Sequence, residues 1–511
     1  MFKLLKLQVR MVSSMNQKVL QSFKNQDLIK TQGFINGKWL HGENKESFGV
    51  NDPAKVPSSD AEIAQVDIFT ENDYNNAIDA AYESFATFKK TTGRVRSELL
   101  LKLFNLIKAN EDDLAKLIVL ENGKPYADAL GEVRYAASYF QWFSEEAPRV
   151  YGDVIPSANA SSRIITMKQP VGVCGIITPW NFPLAMIARK LGAAVAAGCT
   201  TVIKPASETP LSALTLAYLC ELSGFPPGVV NVLPSNTSSK VGALIAEHPL
   251  ISKVSFTGST NVGKILMKQS SSTLKKLSME LGGNAPFIVF DDADIKKAAQ
   301  GALAAKFRSS GQTCVCANRI LVHEKVYDEF ATEFVNLIKE TTTLGNGLDK
   351  NVTHGPVINK KSLQKVQEHV KNATDKGAEI LYGGKHRTDL GEYFHDLTIL
   401  GNVTTDMDIA NEETFGPVAP LMKFKDEADA IRIANDTEVG LAGYFYSENV
   451  GRIFRVGEAL KVGMIGVNTG AISESALPFG GVGESGFGRE GSKYGVEDYT
   501  VLKAMVLGGI E

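Results

Sequence analysis

Residues 171–204 read VGVCGIITPWNFPLAMIARKLGAAVAAGCTTVIK, and the class of the fold can be inferred from this segment. It begins with an apolar run from Val171 to Ile177, continues with an alanine-rich helical pattern at 184–197, and ends with the apolar run Thr200–Ile203. Short strands that are apolar on both sides and are separated by a helix are typical of a parallel sheet covered on both faces. The segment therefore predicts a strand–helix–strand unit of an α/β protein.

The same alternation continues along most of the chain. Further helical patterns lie at 209–222, 239–247 and 261–271, and further apolar strand patterns lie at 229–233, 253–256 and 277–281. A second α/β pattern runs from 285 to about 470 and opens with a strand at 285–290, a helix at 293–308 and a strand at 320–323. We therefore expect two α/β units, the first with the architecture of a nucleotide-binding domain.

The elements before residue 171 do not follow this alternation of strands and helices. Residues 34–39 predict a hairpin with an Asn-Gly turn, and helical patterns follow at 73–90, 95–109, 111–121 and 127–145. Residues 151–171 alternate and are rich in Ser and Asn, which favours a protruding ribbon with which a closing strand in 494–508 could pair. A small ribbon is marginal alone, so we expect it to dock on another subunit of a homodimer or homotetramer.

These patterns predict an α/β fold with two α/β units and a small β oligomerisation arm. The expected boundaries are a basic N-terminal tail at 1–28, the first unit, with nucleotide-binding architecture, at 29–150 and 172–281, the second unit at 282–475, and the arm at 151–171 and 490–511.

The composition narrows the classes of function. The 511 residues, 44% of them hydrophobic, are enough for two or three domains, and a net charge of -3 gives no basic surface for nucleic acid or an acidic membrane. Five cysteines in so long a chain form no disulfide framework and indicate a reducing compartment. The seven histidines lack metal-ligand spacing and no apolar run reaches about 18 residues, so we expect neither a metal nor a membrane span, and small-molecule chemistry instead.

The first 26 residues have a distinct, basic composition with no acid before Asp27. Their basic residues are Lys3, Lys6, Arg10, Lys18 and Lys24, and the apolar residues Phe2, Leu5, Val9 and Val12 recur at helical spacing. This composition is typical of a mitochondrial presequence. The alternative is a frayed basic tail on a cytosolic enzyme, so the expected compartment is the mitochondrial matrix or the cytoplasm, and the basic segment favours the former.

A cysteine stands in the turn-like run Gly311-Gln312-Thr313-Cys314-Val315-Cys316-Ala317-Asn318-Arg319. A thiol attacks carbonyl carbon as thiolate, and a catalytic cysteine therefore needs a polar, partly open position and donors for the developing oxyanion. The run supplies such a position for Cys314, which we interpret as a nucleophile. The alternative is a buried structural cysteine.

Two sequence matches to nucleotide-binding loops lack their structural context. Residues 481–486 fit G-x-G-x-x-G, but no strand pattern precedes them and no helical pattern follows. Residues 258–264 match the first seven positions of a P-loop, and 287–291 resemble a Walker B strand, but Ile265 occupies the position of the magnesium-binding hydroxyl. What remains is a helix start with exposed N–H groups beside Ser259 and Thr260, which favours an anion such as a pyrophosphate.

Seven motifs, in order along the chain, carry a resemblance to a known family. They are Pro179-Trp180-Asn181-Phe182-Pro183, Lys204-Pro205-Ala206, Phe256-Thr257-Gly258-Ser259-Thr260, Glu280-Leu281-Gly282-Gly283, Gly311-Gln312-Thr313-Cys314, Glu413-Thr414-Phe415-Gly416-Pro417 and Pro478-Phe479-Gly480-Gly481. From about residue 30 to 508 the chain resembles the aldehyde dehydrogenases. The resemblance implies an aldehyde-dehydrogenase-like fold, in which the first unit is a Rossmann-type dinucleotide-binding domain (29–150 and 172–281) and the second is an α/β catalytic domain (282–475). Through 307–308, 314–319 and 488–495 the chain is most similar to members of the family, fungal ones in particular, that oxidise succinate semialdehyde in 4-aminobutyrate breakdown.

The resemblance implies a covalent mechanism. Cys314 would attack the aldehyde, and its own N–H and the Asn181 amide would hold the thiohemiacetal oxyanion. Hydride transfer to a nicotinamide would then give a thioester. Glu280 matches the general base that activates water to hydrolyse the thioester; the alternative for Glu280 is an ordinary solvated acid at a strand end.

The resemblance also implies a set of cofactor-binding residues: Trp180, Lys204, Ser207, Gly258, Ser259, Leu281, Glu413 and Phe415. Relatives that prefer NAD often carry Glu three residues after the lysine, where its charge would repel a 2′-phosphate. This chain has neutral Ser207 beside Lys204, so NADP is expected, with NAD as the alternative.

For the substrate, the resemblance places Arg189, Arg308 and Ser473 around the far carboxylate of succinate semialdehyde. Guanidinium groups suit a carboxylate because they bind it in a bidentate manner. Either arginine could instead form an interdomain ion pair. Other functions left open are a broader aldehyde or glutarate-semialdehyde dehydrogenase, a P-loop nucleotide switch, and a non-catalytic structural relative.

Two local features add hypotheses. Ser309, Gly483 and Ser235 depart from the family pattern, and Ser309 in particular could alter how the loop before Cys314 is braced. Cys316, two residues after Cys314 in a loop that we expect to be extended, could form a reversible disulfide with it and switch the enzyme off. The alternative is a small packed thiol.

Overall fold

The protein is described here by a computed structural model of residues 15–510. Its α-helices are α1 Gln17–Leu20, α2 Glu71–Phe88, α3 Gly93–Ala109, α4 Glu111–Asn122, α5 Tyr126–Glu146, α6 Ala185–Ala197, α7 Pro210–Ser223, α8 Ser238–Glu247, α9 Thr260–Ser270, α10 Ile295–Phe307, α11 Tyr327–Thr341, α12 Lys360–Asp375, α13 Asp408–Asn411, α14 Glu427–Asn435, α15 Val450–Ala459 and α16 Tyr494–Glu497. Its strands are β1 Gly33–Ile35, β2 Lys38–Leu40, β3 Ser47–Asn51, β4 Glu62–Asp67, β5 Val154–Ile155, β6 Arg163–Pro170, β7 Val173–Ile177, β8 Thr200–Lys204, β9 Val230–Val232, β10 Ile251–Thr257, β11 Lys276–Glu280, β12 Ala285–Val289, β13 Ala317–His323, β14 Glu379–Tyr382, β15 Thr398–Gly401, β16 Val418–Phe424, β17 Val439–Gly440, β18 Ala442–Tyr446, β19 Met464–Val467, β20 Val482–Gly483, β21 Gly486–Phe487 and β22 Thr500–Leu507.

The first α/β unit is built on an eight-stranded sheet with the order β2-β1-β9-β8-β7-β10-β11-β21. The central strands β9, β8, β7, β10 and β11 run parallel, and the edges are antiparallel. The β1–β2 hairpin turns at Asn36 and Gly37, which both have positive φ (50° and 74°), as the Asn-Gly signal predicts. The parallel core follows from strands that are buried on both faces.

Helix α6 is buried along its whole length. Its small residues allow close packing against α5, and a Cβ added at Gly192 would lie 2.7 Å from the ring of Phe143. The helix ends at Gly198, whose left-handed conformation (φ 96°) suits glycine. The alanine-rich pattern of the sequence is therefore explained by a helix enclosed between a sheet and another helix.

The second α/β unit contains a seven-stranded sheet with the order β14-β15-β16-β13-β12-β18-β19, in which all strands after β14 run parallel. The predicted α/β fold class is confirmed. Strands β10 and β12 lie in different sheets, whereas the P-loop alternative treats the strands that carry its two motifs as parts of one nucleotide site. That alternative is therefore wrong.

A third, three-stranded antiparallel sheet has the order β22-β6-β5. Strand β22 pairs with β6 from Thr500↔Pro170 to Leu507↔Arg163, so the predicted pairing of the C-terminal strand with the ribbon is confirmed. The strand begins at 500 rather than 494, because Tyr494–Glu497 forms a helix. Strand β22 is exposed along almost all of its length.

Residues 15–28 correct the prediction of a free basic tail. Met15, Phe23 and Leu28 are buried in the core of the first unit, and the main-chain N–H groups of Lys24 and Asn25 donate to the Asp113 carboxylate at 3.1 and 2.8 Å. The segment packs because its apolar side chains face the core while its lysines remain outside. The apolar and basic positions between 2 and 12 lie outside the described residues, and targeting stays a prediction.

Every helix among residues 15–510 is too short or too polar to serve as a membrane span.

Candidate active site

Two cavities meet at Cys314. The first, here called the arginine cavity, is small and is lined by Tyr135, Phe182, Met186, Arg189, Arg308, Thr313, Cys314, Val315, Ser473 and Phe479. The second, here called the wide cavity, has a volume of about 460 Å³ and is lined by Pro179, Trp180, Asn181, Thr257, Gly258, Ser259, Leu281, Gly282, Cys314, Lys361, Ser362, Lys365, Glu413 and Phe415. Cys314 therefore borders two cavities with different linings.

The loop that carries Cys314 is a turn held by its neighbours. Gly311 has a left-handed φ of 77°, and a Cβ there would lie 2.1 Å from the Gly416 carbonyl oxygen, so only glycine fits. The Gln312 amide donates to the Pro356 carbonyl at 3.2 Å and accepts from the Ile358 N–H at 2.9 Å. These contacts fix the backbone three residues before the sulfur.

Asn181 lies beside this turn, as the sequence predicts. Its Nδ2 donates to the Gln312 carbonyl at 3.1 Å, and it lines the wide cavity together with Cys314. An amide nitrogen carries two protons, so Asn181 keeps a second N–H while the first is bound to Gln312. The structure thus brings together the cysteine and the amide that the resemblance pairs.

The electrostatic surroundings of Cys314 favour the neutral thiol. The residue is half-buried, and burial raises the pKa of the thiol to about 12, against the lowering influence of the Arg189 guanidinium. The carboxylates of Glu413 and Glu280 raise the pKa further. The positive charge of Arg189 is therefore the neighbouring influence that favours the Cys314 thiolate.

Glu280 is buried at the end of β11 and lines neither of the two cavities. Neither carboxyl oxygen has a hydrogen-bond partner among residues 15–510. Burial raises the pKa of Glu280 well above the usual range, Glu490 adds to the rise, and Arg189 and Lys190 oppose it. The group stands near enough to raise the pKa of Cys314.

The backbone at Glu280 is backed by the glycine-rich segment 481–486. Gly486 pairs with Glu280 across β21 and β11, and its φ is 97°, with the Met279 carbonyl oxygen 2.0 Å from where a Cβ would be. Strands β20 and β21 at this segment pair with β17 and β11 respectively, and the segment does not start a helix. It is a loop that supports the site, consistent with its interpretation as a glycine-rich loop.

A buried charge cluster that sequence reasoning missed lies behind Glu280. Glu490 contacts Lys190, and its Oε2 lies 2.5 Å from Nε of Arg189. Lys190 also donates to the Thr257 hydroxyl at 2.6 Å. Glu490 stood in a motif used for the resemblance but had no role there, and nothing in the sequence near either residue marks the two as a buried pair.

The arginine cavity contains all three residues expected to bind a carboxylate, Arg189, Arg308 and Ser473. The Arg189 guanidinium lies 4.1 Å from the centre of the Phe479 ring, and that of Arg308 lies 5.0 Å from the Phe182 ring. Arg189 also pairs with Glu490, and an ion pair was the alternative role predicted for it. Its Nη2 nonetheless has no hydrogen-bond partner in the described part of the chain, which leaves a donor for a ligand.

The wide cavity contains six of the eight residues expected to bind a dinucleotide: Trp180, Gly258, Ser259, Leu281, Glu413 and Phe415. The rings of Trp180 and Phe415 meet edge to face at 5.7 Å. Glu413 accepts from the Gly283 N–H at 3.0 Å, and burial raises its pKa to about 7, against the effect of that N–H and of Lys306. Ser259 caps the start of α9, where N–H groups favour an anion.

Lys204 and Ser207 are not among the residues that line the wide cavity, and the phosphate pocket expected from them stays a prediction. Lys204 is buried, its Nζ donates to the Pro205 carbonyl at 3.0 Å, and burial lowers its pKa to about 8. Ser207 lines a separate cavity of about 350 Å³, where its hydroxyl donates to the Glu208 carboxylate at 3.1 Å. Conversely, Lys361 and Lys365 of α12 line the wide cavity and were not anticipated.

Cys316 is fully buried and its surroundings are those of a packed thiol. Its sulfur lies 2.8 Å from the Thr313 hydroxyl and 3.3 Å from the Lys306 carbonyl. The segment is a turn closed by the Cys316 N–H on the Thr313 carbonyl, not the extended loop expected. A disulfide with Cys314 stays a prediction.

Comparison with known proteins agrees with this geometry. The model of the aldehyde dehydrogenase family matches residues 39–505. The chain is 53% identical to the succinate-semialdehyde dehydrogenase [NADP(+)] of Saccharomyces cerevisiae, over 95% of this chain and 96% of that protein. It is 49% identical to the 3-sulfolactaldehyde dehydrogenase of Pseudomonas putida, over 96% and 99%.

A solved structure extends the comparison to the fold. The crystal structure of succinate-semialdehyde dehydrogenase from Burkholderia pseudomallei superposes with a TM-score of 0.93 at 48% identity, and it covers 95% of this chain and 100% of that one. The match spans both α/β units and the site between them. The chain belongs to the aldehyde dehydrogenase family.

Proposed function

We propose that this protein oxidises succinate semialdehyde to succinate with NADP⁺, or with NAD⁺ as the alternative. The observation that carries the proposal is the position of Cys314 between a cavity with two arginines and a cavity suited to a dinucleotide. The relative from S. cerevisiae is named for this substrate and cofactor, which supports the assignment.

The wide cavity fits a nicotinamide dinucleotide on chemical grounds. The N–H groups at the start of α9, with Gly258 and Ser259, suit a pyrophosphate. The Glu413 carboxylate suits ribose hydroxyls, and the Trp180 and Phe415 rings suit a planar group. When bound, the nicotinamide supplies the acceptor for a hydride.

The chemistry of the protein begins at Cys314. The sulfur forms a bond to the aldehyde carbon as the thiol loses its proton, and the aldehyde oxygen becomes an oxyanion held by the Cys314 N–H and the Asn181 amide. Arg189 and Arg308 bind the far carboxylate and so align the carbonyl with the sulfur. Loss of hydride from the same carbon converts this adduct to a thioester.

Glu280 completes the cycle. Its ionised carboxylate takes a proton from water, the resulting hydroxide adds to the thioester carbon, and the carbon–sulfur bond breaks to release succinate and regenerate Cys314. Burial raises the pKa of Glu280 and therefore opposes the ionisation that this step requires. The cationic groups of Arg189 and Lys190 favour that ionisation.

Cofactor choice rests on charge. Lys361 and Lys365 both line the wide cavity. Lys365 is paired with Glu412, so Lys361 supplies the positive charge that favours the extra phosphate of NADP. Neutral Ser207 does not repel that phosphate, whereas the Glu208 carboxylate beside Ser207 opposes a phosphate at that point. We place NADP first because Lys361 lines the cavity itself.

One panel of assays tests substrate and cofactor together. We expect kcat/KM for succinate semialdehyde to exceed that for butanal by about 100-fold or more, because an uncharged analogue leaves the Nη2 donor of Arg189 and the Arg308 guanidinium without an anionic ligand. 3-Sulfolactaldehyde and glutarate semialdehyde, whose anionic ends also suit arginines, are the rival substrates. A higher kcat/KM for either rival, or for NAD over NADP, would overturn that part of the proposal.

The variant Arg308→Leu tests whether Arg308 binds the carboxylate of the substrate. We expect a loss of about 100-fold in kcat/KM with succinate semialdehyde, the size of one charge-assisted contact, and less than about 3-fold with butanal. Arg134→Leu is the matched control, because Arg134 is exposed and pairs only with Glu111 among its described ionic neighbours. Equal losses with both aldehydes would remove Arg308 from the substrate site.

We also propose that the β22-β6-β5 sheet mediates a homodimer or homotetramer. Leu502 and Val506 share one face of β22 and are 65% and 66% exposed, and an exposed apolar edge strand favours pairing. Changing both to Asp should shift the sedimenting species to a smaller one, whereas Lys503→Asp on the other face should not. A monomeric wild type would contradict the proposal.

A further inference from the structure

The segment that joins α4 to α5 and the first two turns of α5 contain a buried ion pair outside both cavities. Lys124 Nζ lies 2.7 Å from Oε2 of Glu132, and the two side chains are 1% and 0% exposed. A buried pair is stable only when further hydrogen bonds satisfy its remaining donors and acceptors. Its other partners therefore reveal what the pair holds in place.

Those partners belong to the segment that carries Asn181. Lys124 Nζ donates to the Asn181 carbonyl at 2.6 Å and lies 3.9 Å from the centre of the Phe182 ring. Glu132 Oε1 accepts from the main-chain N–H groups of Leu184 and Ala185 at 2.9 and 3.3 Å, at the start of α6. The ion pair thus holds both ends of residues 181–185.

The same part of α5 also reaches the turn before Cys314. Oδ2 of Asp128 accepts from the Ser309 N–H at 2.9 Å. Ser309 and Ser310 both have left-handed backbones, with φ of 49° and 55°, a conformation that non-glycine residues keep only where the surroundings impose it. The hydrogen bond from Ser309 to Asp128 is one of the contacts that impose this left-handed conformation.

We propose that Lys124, Asp128 and Glu132 are positioning residues that set the distance between the Asn181 amide and the Cys314 turn. None of the three lines either cavity. Lys124 nevertheless contacts Asn181, which does, and Asp128 contacts the turn before the cysteine, so that this end of α5 holds both halves of the oxyanion site. The inference rests on the proposed role of Asn181 and Cys314. A displacement of about 1 Å in such a site lowers the rate on the order of 100-fold.

A double-mutant cycle tests whether the ion pair acts through Asn181. The pair is removed as Lys124→Met with Glu132→Gln, so that no unpaired charge stays buried, in wild type and in Asn181→Ala. The measured quantity is the single-turnover rate of reduced-cofactor formation per folded site, with whichever aldehyde the wild type oxidises best. We expect a loss of about 30-fold in wild type and less than about 3-fold in the Asn181→Ala background, because interacting residues are not additive.

Equal losses in the two backgrounds would overturn the proposal, as would a variant that is only less heat-stable. Asp113→Ala is the matched control: its carboxylate, on α4, also accepts two main-chain N–H groups, but those of the N-terminal segment. It should lower Tm and leave the rate unchanged.

Asp128→Ala gives a second, independent reading if the paired variant does not fold, because Asp128 is only half-buried. It should slow single turnover about 10-fold with an unchanged KM for the cofactor; an unchanged rate would contradict the proposal. If the wild type oxidises other aldehydes but not succinate semialdehyde, the proposed substrate is wrong. The proposed role of Lys124, Asp128 and Glu132 can still be tested with the aldehyde that is oxidised.

Discussion

Replacing Cys314 with alanine is expected to lower kcat by about 10⁴-fold or more, because no covalent intermediate can form without the nucleophile. The cavity linings on both sides of the residue keep their other members, so cofactor binding should persist. The measurement is steady-state oxidation of succinate semialdehyde together with cofactor titration by fluorescence. Loss of cofactor binding would instead indicate a damaged fold.

Cys316→Ala is the matched control for this prediction. It removes a thiol two residues away whose sulfur contacts Thr313 and the Lys306 carbonyl. We expect it to retain activity within about 3-fold, since replacement of one small packed side chain by another perturbs the core only modestly. A Cys314→Ala enzyme that keeps a tenth of the wild-type rate would refute the nucleophile.

Glu280→Gln should separate the two halves of the reaction. Acylation does not need the base, so we expect a burst of reduced cofactor that approaches one equivalent per active site. Turnover after the burst should fall by about 10²- to 10³-fold, the usual contribution of a general base. Glu484→Gln is the control, because Glu484 is partly exposed and pairs with Lys264 of α9. Steady-state turnover near the wild-type value would exclude Glu280 as the base.

The same variant predicts a change in pH dependence. Burial raises the pKa of Glu280 well above the usual range, and only the ionised form can accept a proton from water. In wild type, kcat should therefore rise as pH increases through neutrality. In Glu280→Gln this rise should disappear from the slow phase. A wild-type profile that falls as pH increases would contradict the assignment.

Several parts of the site could be inferred from the sequence because local patterns determine them. Cys314 and Asn181 stand in short turns bounded by Gly311 and by prolines, and the turns keep their residues together in the fold. The α/β class follows from strands such as β7 and β8 that are apolar on both faces.

Other parts depend on contacts between segments far apart in the chain. Lys190 and Glu490 are 300 residues apart, and charged residues are usually solvated, so nothing local marks them as a buried pair. Lys361 and Lys365 reach the wide cavity only because α12 packs near Glu413. The basic residues near the N-terminus suggested a free tail, but Met15 and Phe23 are buried.

The central claim is a succinyl thioester on Cys314, and rapid quenching tests it directly. Glu280→Gln is mixed with succinate semialdehyde and NADP⁺, stopped in acid within the burst, digested and examined by mass spectrometry. The account predicts one succinyl group on the peptide that contains Cys314 for each reduced cofactor formed. Reduced cofactor formed in stoichiometric amount while that peptide stays unmodified would contradict the account.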